Sequence, residues 1–145
     1  MVMSREKSTR IVVADDNRQM RDKVVNLLTP RYEVVGAAAD GKAALEVVKL
    51  LKPDIAVLDI SMPIISGIDV AAEMKRSGSP TKVVFLTVHS DPDYLVAALY
   101  VGASGYVVKS QMAEDLFTAL SEARSGGIFI SPTCEMRGQP DEIVD

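Results

Sequence analysis

Apolar residues fall in short runs separated by segments of helical spacing. Ile11 to Ala14, Val34 and Val35, Ile55 to Leu58, Val83 to Leu86, and Tyr106 to Val108 are the five runs. β-Branched residues dominate them, as strands buried on both faces require. Between the runs, Met20, Val24, Leu27 and Leu28 share one helical face. Ala44, Val48 and Leu51 form a second stripe, Leu95, Ala98 and Leu99 another, and Met112, Leu116 and Leu120 the last. The segment from Ile68 to Arg76 is weaker, with Val70 and Met74 one turn apart. Pro30 and Pro53 stop the helices they follow. Asp40 and Asp91 read as N-caps, the second followed by Pro92 at N1, and Gly126-Gly127 ends the fifth helix.

Strand and helix therefore alternate five times. That alternation predicts an α/β fold in which a parallel sheet is covered on both faces by right-handed crossovers. The predicted organisation is an N-terminal extension over 1–9, one folded unit over 10–127, and a C-terminal tail or linker over 128–145. Ile128-Phe129-Ile130 is a short apolar patch at the head of that tail.

Composition narrows the function classes. With 145 residues, 48% of them hydrophobic and 25% charged, the chain supports one ordinary globular core. Cys134 is the sole cysteine, so a disulfide scaffold is excluded. A net charge of −4 argues against direct grip on nucleic acid. No apolar run approaches the roughly 20 residues of a membrane span, and Met1 to Arg10 lacks the apolar stretch of a secretory signal, so a cytoplasmic location is expected.

The chemistry lies where the strands end. Asp15 and Asp16 follow the first strand, Asp59 the third, Thr87 the fourth and Lys109 the fifth. Open α/β sheets bind ligands beyond the carboxyl ends of their strands, at the point where strand order reverses. A strand order of 2-1-3-4-5 would make the first and third strands neighbours there, and Asp15, Asp16 and Asp59 would converge. Three carboxylates in one cleft need a cation, and all-oxygen ligation suits Mg²⁺ or Mn²⁺. A metal, a lysine and a hydroxyl around one carboxylate are the parts needed for phosphoryl transfer to that carboxylate.

In these residues the chain resembles a two-component response-regulator receiver domain. The resemblance rests on Asp15-Asp16, on Asp59-x-x-Met62-Pro63-x-x-x-Gly67, on Thr87, on Gly105-Tyr106 and on Lys109. It covers about Arg10 to Gly126. The stretches Tyr32 to Gly36, Ala38 to Gly41, Gly102 to Tyr106 and Gly127 to Pro132 are similar to the NarL/FixJ class, whose members usually carry a C-terminal helix-turn-helix.

The resemblance implies a flavodoxin-like, doubly wound, five-stranded parallel sheet in the order 2-1-3-4-5. It implies that Asp59 accepts a phosphoryl group from a phosphohistidine on a sensor histidine kinase. Asp16 and Asp59 would bind Mg²⁺ directly, Asp15 through water, and Ser61 through its backbone carbonyl. Lys109 would pair with the phosphoryl oxygens, Thr87 would hydrogen-bond them, and Tyr106 would change rotamer as the Thr87 loop moves. Such a domain is a phosphoacceptor that assists its own phosphorylation and dephosphorylation, not an enzyme with turnover. A homodimer and a DNA-binding domain absent from this chain are the further partners expected. The alternatives are a stand-alone receiver acting through protein contacts and a degenerate module that docks without phosphorylation.

Several positions depart from the common pattern. Ser110 follows Lys109 where many receivers have a proline in a cis peptide. Val88 follows Thr87 where a smaller residue is common, and its bulk is expected to restrict access to Asp59. Ser61 and His89 occupy positions that tune dephosphorylation in the family. An aspartyl-nucleophile phosphatase is disfavoured, because Ser61 stands where such enzymes place a second carboxylate. A flavin or nucleotide binder is disfavoured too, because Ala14-Asp15-Asp16-Asn17 lacks a Gly-rich phosphate cradle.

Overall fold

The computed structural model describes residues 8–132. The strands are β1 (Arg10–Ala14), β2 (Glu33–Ala38), β3 (Ile55–Leu58), β4 (Lys82–Thr87), β5 (Gly105–Val108) and β6 (Phe129–Ile130). The helices are α1 (Arg18–Leu28), α2 (Gly41–Leu51), α3 (Gly67–Arg76), α4 (Pro92–Tyr100) and α5 (Met112–Ser125), with a 3₁₀ turn over Lys109–Gln111. All pairings are parallel, in the order β2-β1-β3-β4-β5-β6.

The sheet thus has six strands, where the sequence pattern predicted five. The added strand is the patch read as the head of the tail: Phe129 pairs with Gly105 and Ile130 with Tyr106. A two-residue strand is too short to show a period, so only its docking on β5 reveals it.

Side-chain alternation along the strands divides the core. Ile11, Val13, Val57 and Val84 meet Val24 and Leu28 of α1 and Leu116 and Leu120 of α5. Val12, Ala14, Leu58 and Phe85 meet Ala44 and Val48 of α2, Val70 and Met74 of α3, and Ala98 of α4. Val12 and Val13 are adjacent in sequence and face opposite layers, as the two-residue strand period demands. Leu28, Leu116 and Leu120 have no exposed surface, so truncating any of them to alanine would cost about 2–5 kcal/mol.

Capping fixes where the helices start. Asn17 accepts from the Met20 N–H at 2.8 Å, Asp40 from Ala43 at 2.7 Å, and Ser66 from Asp69 at 3.2 Å. Asp91 holds the N-cap position of α4 ahead of Pro92, but its side chain makes no capping bond. Among the described residues no helix is long and apolar enough to cross a membrane, and no peptide is cis.

Candidate functional site

Asp15 lies one residue past β1, Asp59 one residue past β3, and Lys109 one residue past β5. Their places are set by continued sheet pairing. The Asp15 N–H donates to the Ala38 carbonyl and the Asp59 N–H to the Ala14 carbonyl, at 3.1 and 3.0 Å. Both bonds extend the ladder by one rung and bring the two carboxylates to the β1/β3 junction. Gly67, at the start of α3, packs directly against Asp59. A Cβ there would come within 2.0 Å of the Asp59 carbonyl oxygen, so only glycine permits this approach.

Lys109 closes the group. Its Nζ is 2.8 Å from Asp15 Oδ2 and 3.1 Å from Asp59 Oδ2. The second Asp59 oxygen, Oδ1, accepts from the Ile60 N–H at 2.8 Å. Asp15 Oδ1 accepts from Asn17 N–H at 2.9 Å, and Arg21 donates to the Asp15 carbonyl at 2.9 Å. Asp15 and Asp59 are buried, whereas Asp16 is exposed at the mouth. Carboxylate oxygens of Asp15, Asp16 and Asp59 all lie within 4.8 Å of one another.

The electrostatics follow from that crowding. Burial pushes the Asp59 carboxyl above its ordinary value, with the charge of Asp15 adding to the push; Lys109 and the Ile60 N–H oppose it without cancelling it. Burial also works against charge on Lys109. Its hydrogen bonds and charge contacts with Asp15 and Asp59 prevail and hold the ammonium above its ordinary value. Two buried carboxylates facing one lysine, with a third at the opening, leave excess negative charge. Such an all-oxygen donor set fits a small hard cation.

Thr87 is the last residue of β4 and is fully buried. Its Oγ1 accepts from the His89 N–H at 3.1 Å. The Tyr106 ring is fully buried, and its hydroxyl donates to the His89 carbonyl at 2.8 Å. One loop residue is thus held from two strands.

Residues 11–121 match the response regulator receiver domain family. The chain belongs to that family. It is 34% identical over 129 residues to the transcriptional regulatory protein DegU of Brevibacillus brevis, which covers 88% of this chain and 55% of DegU. The chain therefore spans only about half the length of that relative. Its fold is similar to a LuxR-family two-component response regulator from an Aurantimonas species, with a TM-score of 0.83 and 30% identity over 89% of this chain and 94% of that one. It is also similar to the signal receiver domain of the putative response regulator NarL from Mycobacterium tuberculosis, with a TM-score of 0.78 and 36% identity over 83% of this chain and 98% of that one.

The receiver domain brings Asp15, Asp16, Asp59 and Lys109 into one cluster, with Thr87 and Tyr106 joined to each other through His89. Ser61 is exposed beside the cluster, and its hydroxyl meets the His89 ring nitrogen Nε2 at 2.8 Å. Val88 was expected to restrict access to Asp59. It is 66% exposed and lines a cleft of about 430 Å³ with Asn17, Met20, Lys23 and Lys109. Its side chain faces outward, on the same cleft as Lys109.

Sequence reasoning gave His89 little weight. In the receiver domain its ring bonds Ser61 and stacks on Tyr94, with centroids 4.1 Å apart and planes 19° apart. The signal was its place two residues after Thr87. Tyr94 and Arg21 were not singled out, and Ser131 was noted only within the Gly127 to Pro132 stretch, because its partners Val108 and Asp115 lie 23 and 16 residues away. Cys134 lies outside the described residues.

Proposed function

We propose that this receiver domain is a cytoplasmic signalling switch in which Asp59 takes a phosphoryl group from a phosphohistidine of a sensor histidine kinase. An Asp59 carboxylate oxygen attacks phosphorus, the P–N bond breaks, and the electron pair leaves with the imidazole, which is protonated. The observation that carries the reading is Lys109 bridging Asp15 and Asp59 in a pocket that Asp16 completes.

The residues divide the work. Asp16 and Asp59 would hold Mg²⁺ directly, Asp15 would do so through water, and the Ser61 backbone carbonyl would complete the protein ligands. Mg²⁺ or Mn²⁺ bound there would supply positive charge against the carboxylates and the incoming phosphoryl group. Lys109 turns from Asp59 to a phosphoryl oxygen while retaining Asp15. The Thr87 hydroxyl, whose oxygen now accepts from His89, donates to the phosphoryl group. That draws the loop inward, and Tyr106, bonded to the same loop at His89, responds with a change of rotamer. Charge added at one buried carboxylate is thereby turned into a surface change.

The chain is 34% identical to a transcriptional regulator about 1.6 times its length, which supports its being the receiver part of such a protein. In that setting a DNA-binding domain and a phosphorylation-dependent homodimer supply the output. The test is intact mass after incubation with acetyl phosphate, with and without Mg²⁺, on wild type and Asp59→Asn. A Mg²⁺-dependent phosphoryl adduct in wild type alone is expected. Absence of an adduct in wild type would leave phosphate-independent docking as the function.

A further inference from the structure

The end of β5 is braced from the C-terminal side by one hydroxyl. The β5–β6 ladder runs through Phe129 N–H to the Ser104 carbonyl at 3.1 Å and Ser131 N–H to the Tyr106 carbonyl at 2.9 Å. In a parallel ladder the next rung would take the Val108 N–H to the Ser131 carbonyl. It is taken instead by Ser131 Oγ, at 3.1 Å. The same hydroxyl donates to Asp115 Oδ2 at 2.8 Å. Ser131 has no exposed surface, and Asp115 lies in the first turn of α5.

These two bonds close a ring around the catalytic turn. Val108 immediately precedes Lys109, and the 3₁₀ turn Lys109–Gln111 leads into α5. Both ends of the segment that carries the lysine are therefore tied to one fixed oxygen. A hydroxyl that accepts from one side and donates to the other has no rotational freedom left. Without it, the Val108 N–H would lose its acceptor at a buried strand end and Asp115 would lose its donor.

We propose that Ser131 is a positioning residue for Lys109, holding the β5 end and the α5 start so that the ammonium meets the phosphoryl group on Asp59. The inference rests on the phosphoacceptor reading above. It concerns the rate of phosphoryl acceptance and leaves the carboxylates that hold the cation untouched, since Ser131 contacts none of them.

The experiment is the rate of adduct formation by the full chain at saturating acetyl phosphate, with the apparent Mg²⁺ affinity measured alongside. Ser131→Ala should slow phosphorylation about tenfold, the scale of a slightly misplaced catalytic group, with Mg²⁺ affinity unchanged. Ser131→Thr, which keeps the hydroxyl, should recover most of the rate. Asp115→Ala, which releases the hydroxyl but leaves β6 in place, should show a smaller loss in the same direction. A folded Ser131→Ala protein with the wild-type rate overturns the proposal, as does a Mg²⁺ affinity that falls in step with the rate. Should Ser131→Ala fail to fold, an Asp115→Ala protein at the wild-type rate overturns it. No adduct in wild type would remove the phosphoacceptor reading itself, and this inference with it.

Discussion

Lys109 makes its shorter contact with Asp15, at 2.8 Å, and not with Asp59, at 3.1 Å. The lysine therefore neutralises the pair and is not held by Asp59 alone. Its folded pKa is raised, so its contribution to stability is complete below the ordinary 10.5 and is lost only as pH rises through the folded value. At neutral pH, Lys109→Ala should destabilise the metal-free protein by about 3 kcal/mol, because it strands buried carboxylates. Mg²⁺ should then stabilise the variant more than wild type, since no cation competes for the pocket. Urea unfolding with EDTA or MgCl₂ measures both effects. Equal Mg²⁺ responses would contradict the shared role of the lysine.

Asp59 is strained electrostatically in the metal-free state. A folded pKa above 3.8 means that stability falls as pH rises through the window between 3.8 and the raised value, and the cost then persists at neutral pH. Asp59→Asn removes that charge from a buried position. It should raise metal-free stability by about 1 kcal/mol, a shift of several degrees in Tm. The same variant should lose the stabilisation that Mg²⁺ gives wild type. Thermal unfolding with and without Mg²⁺ reads both, and a destabilised variant would count against the account.

Protons and the cation compete for the same carboxylate. Apparent Mg²⁺ affinity should fall with pH through the raised pKa of Asp59, before the ordinary aspartate range near 3.8 is reached. Calorimetric titration across a pH series checks this. Affinity that stays flat until that range would mean that Asp59 is not a direct ligand.

The Tyr106 hydroxyl ties β5 to the β4–α4 loop through the His89 carbonyl. Tyr106→Phe keeps the buried ring and deletes this bond. The expected cost is about 1 kcal/mol, with faster hydrogen exchange confined to the loop around His89. Exchange rates unchanged there would show that the loop is held by other contacts.

Ile64 sits at φ 72° in a three-residue turn closed by Ile65 N–H to the Pro63 carbonyl at 2.8 Å. A β-branched residue is strained there, and its side chain is 73% exposed, so packing does not compensate. Ile64→Asn should stabilise the protein by about 1 kcal/mol. Chemical denaturation measures it, and a loss of stability would mean that the exposed side chain has a role in the fold.

Most of the architecture was legible because its signals are local. Five strands are long enough and apolar enough to stand out between helices of clear period, and Asp40 and Gly126 mark helix ends by chemistry that acts within a few residues. Asp15, Asp16, Asp59, Thr87 and Lys109 could be picked out because each directly follows or ends a strand, and strand ends of such sheets face one side. β6 could not be seen, since two residues carry no period. The part played by Ser131 was equally invisible, because its partners Val108 and Asp115 are 23 and 16 residues away.

The sequence by itself determined the order of elements, the membership of the sheet's first five strands and the residues that meet at its carboxyl edge. Those follow from periodicity and from where polar residues interrupt apolar runs. Tertiary structure alone decided that Lys109 leans on Asp15, that Val88 faces solvent, that His89 bridges Ser61 and Tyr94, and that a sixth strand braces β5. The reason is physical. Local pattern sets which face a side chain takes, whereas partner, distance and burial depend on how separate elements pack, and no single segment carries that information.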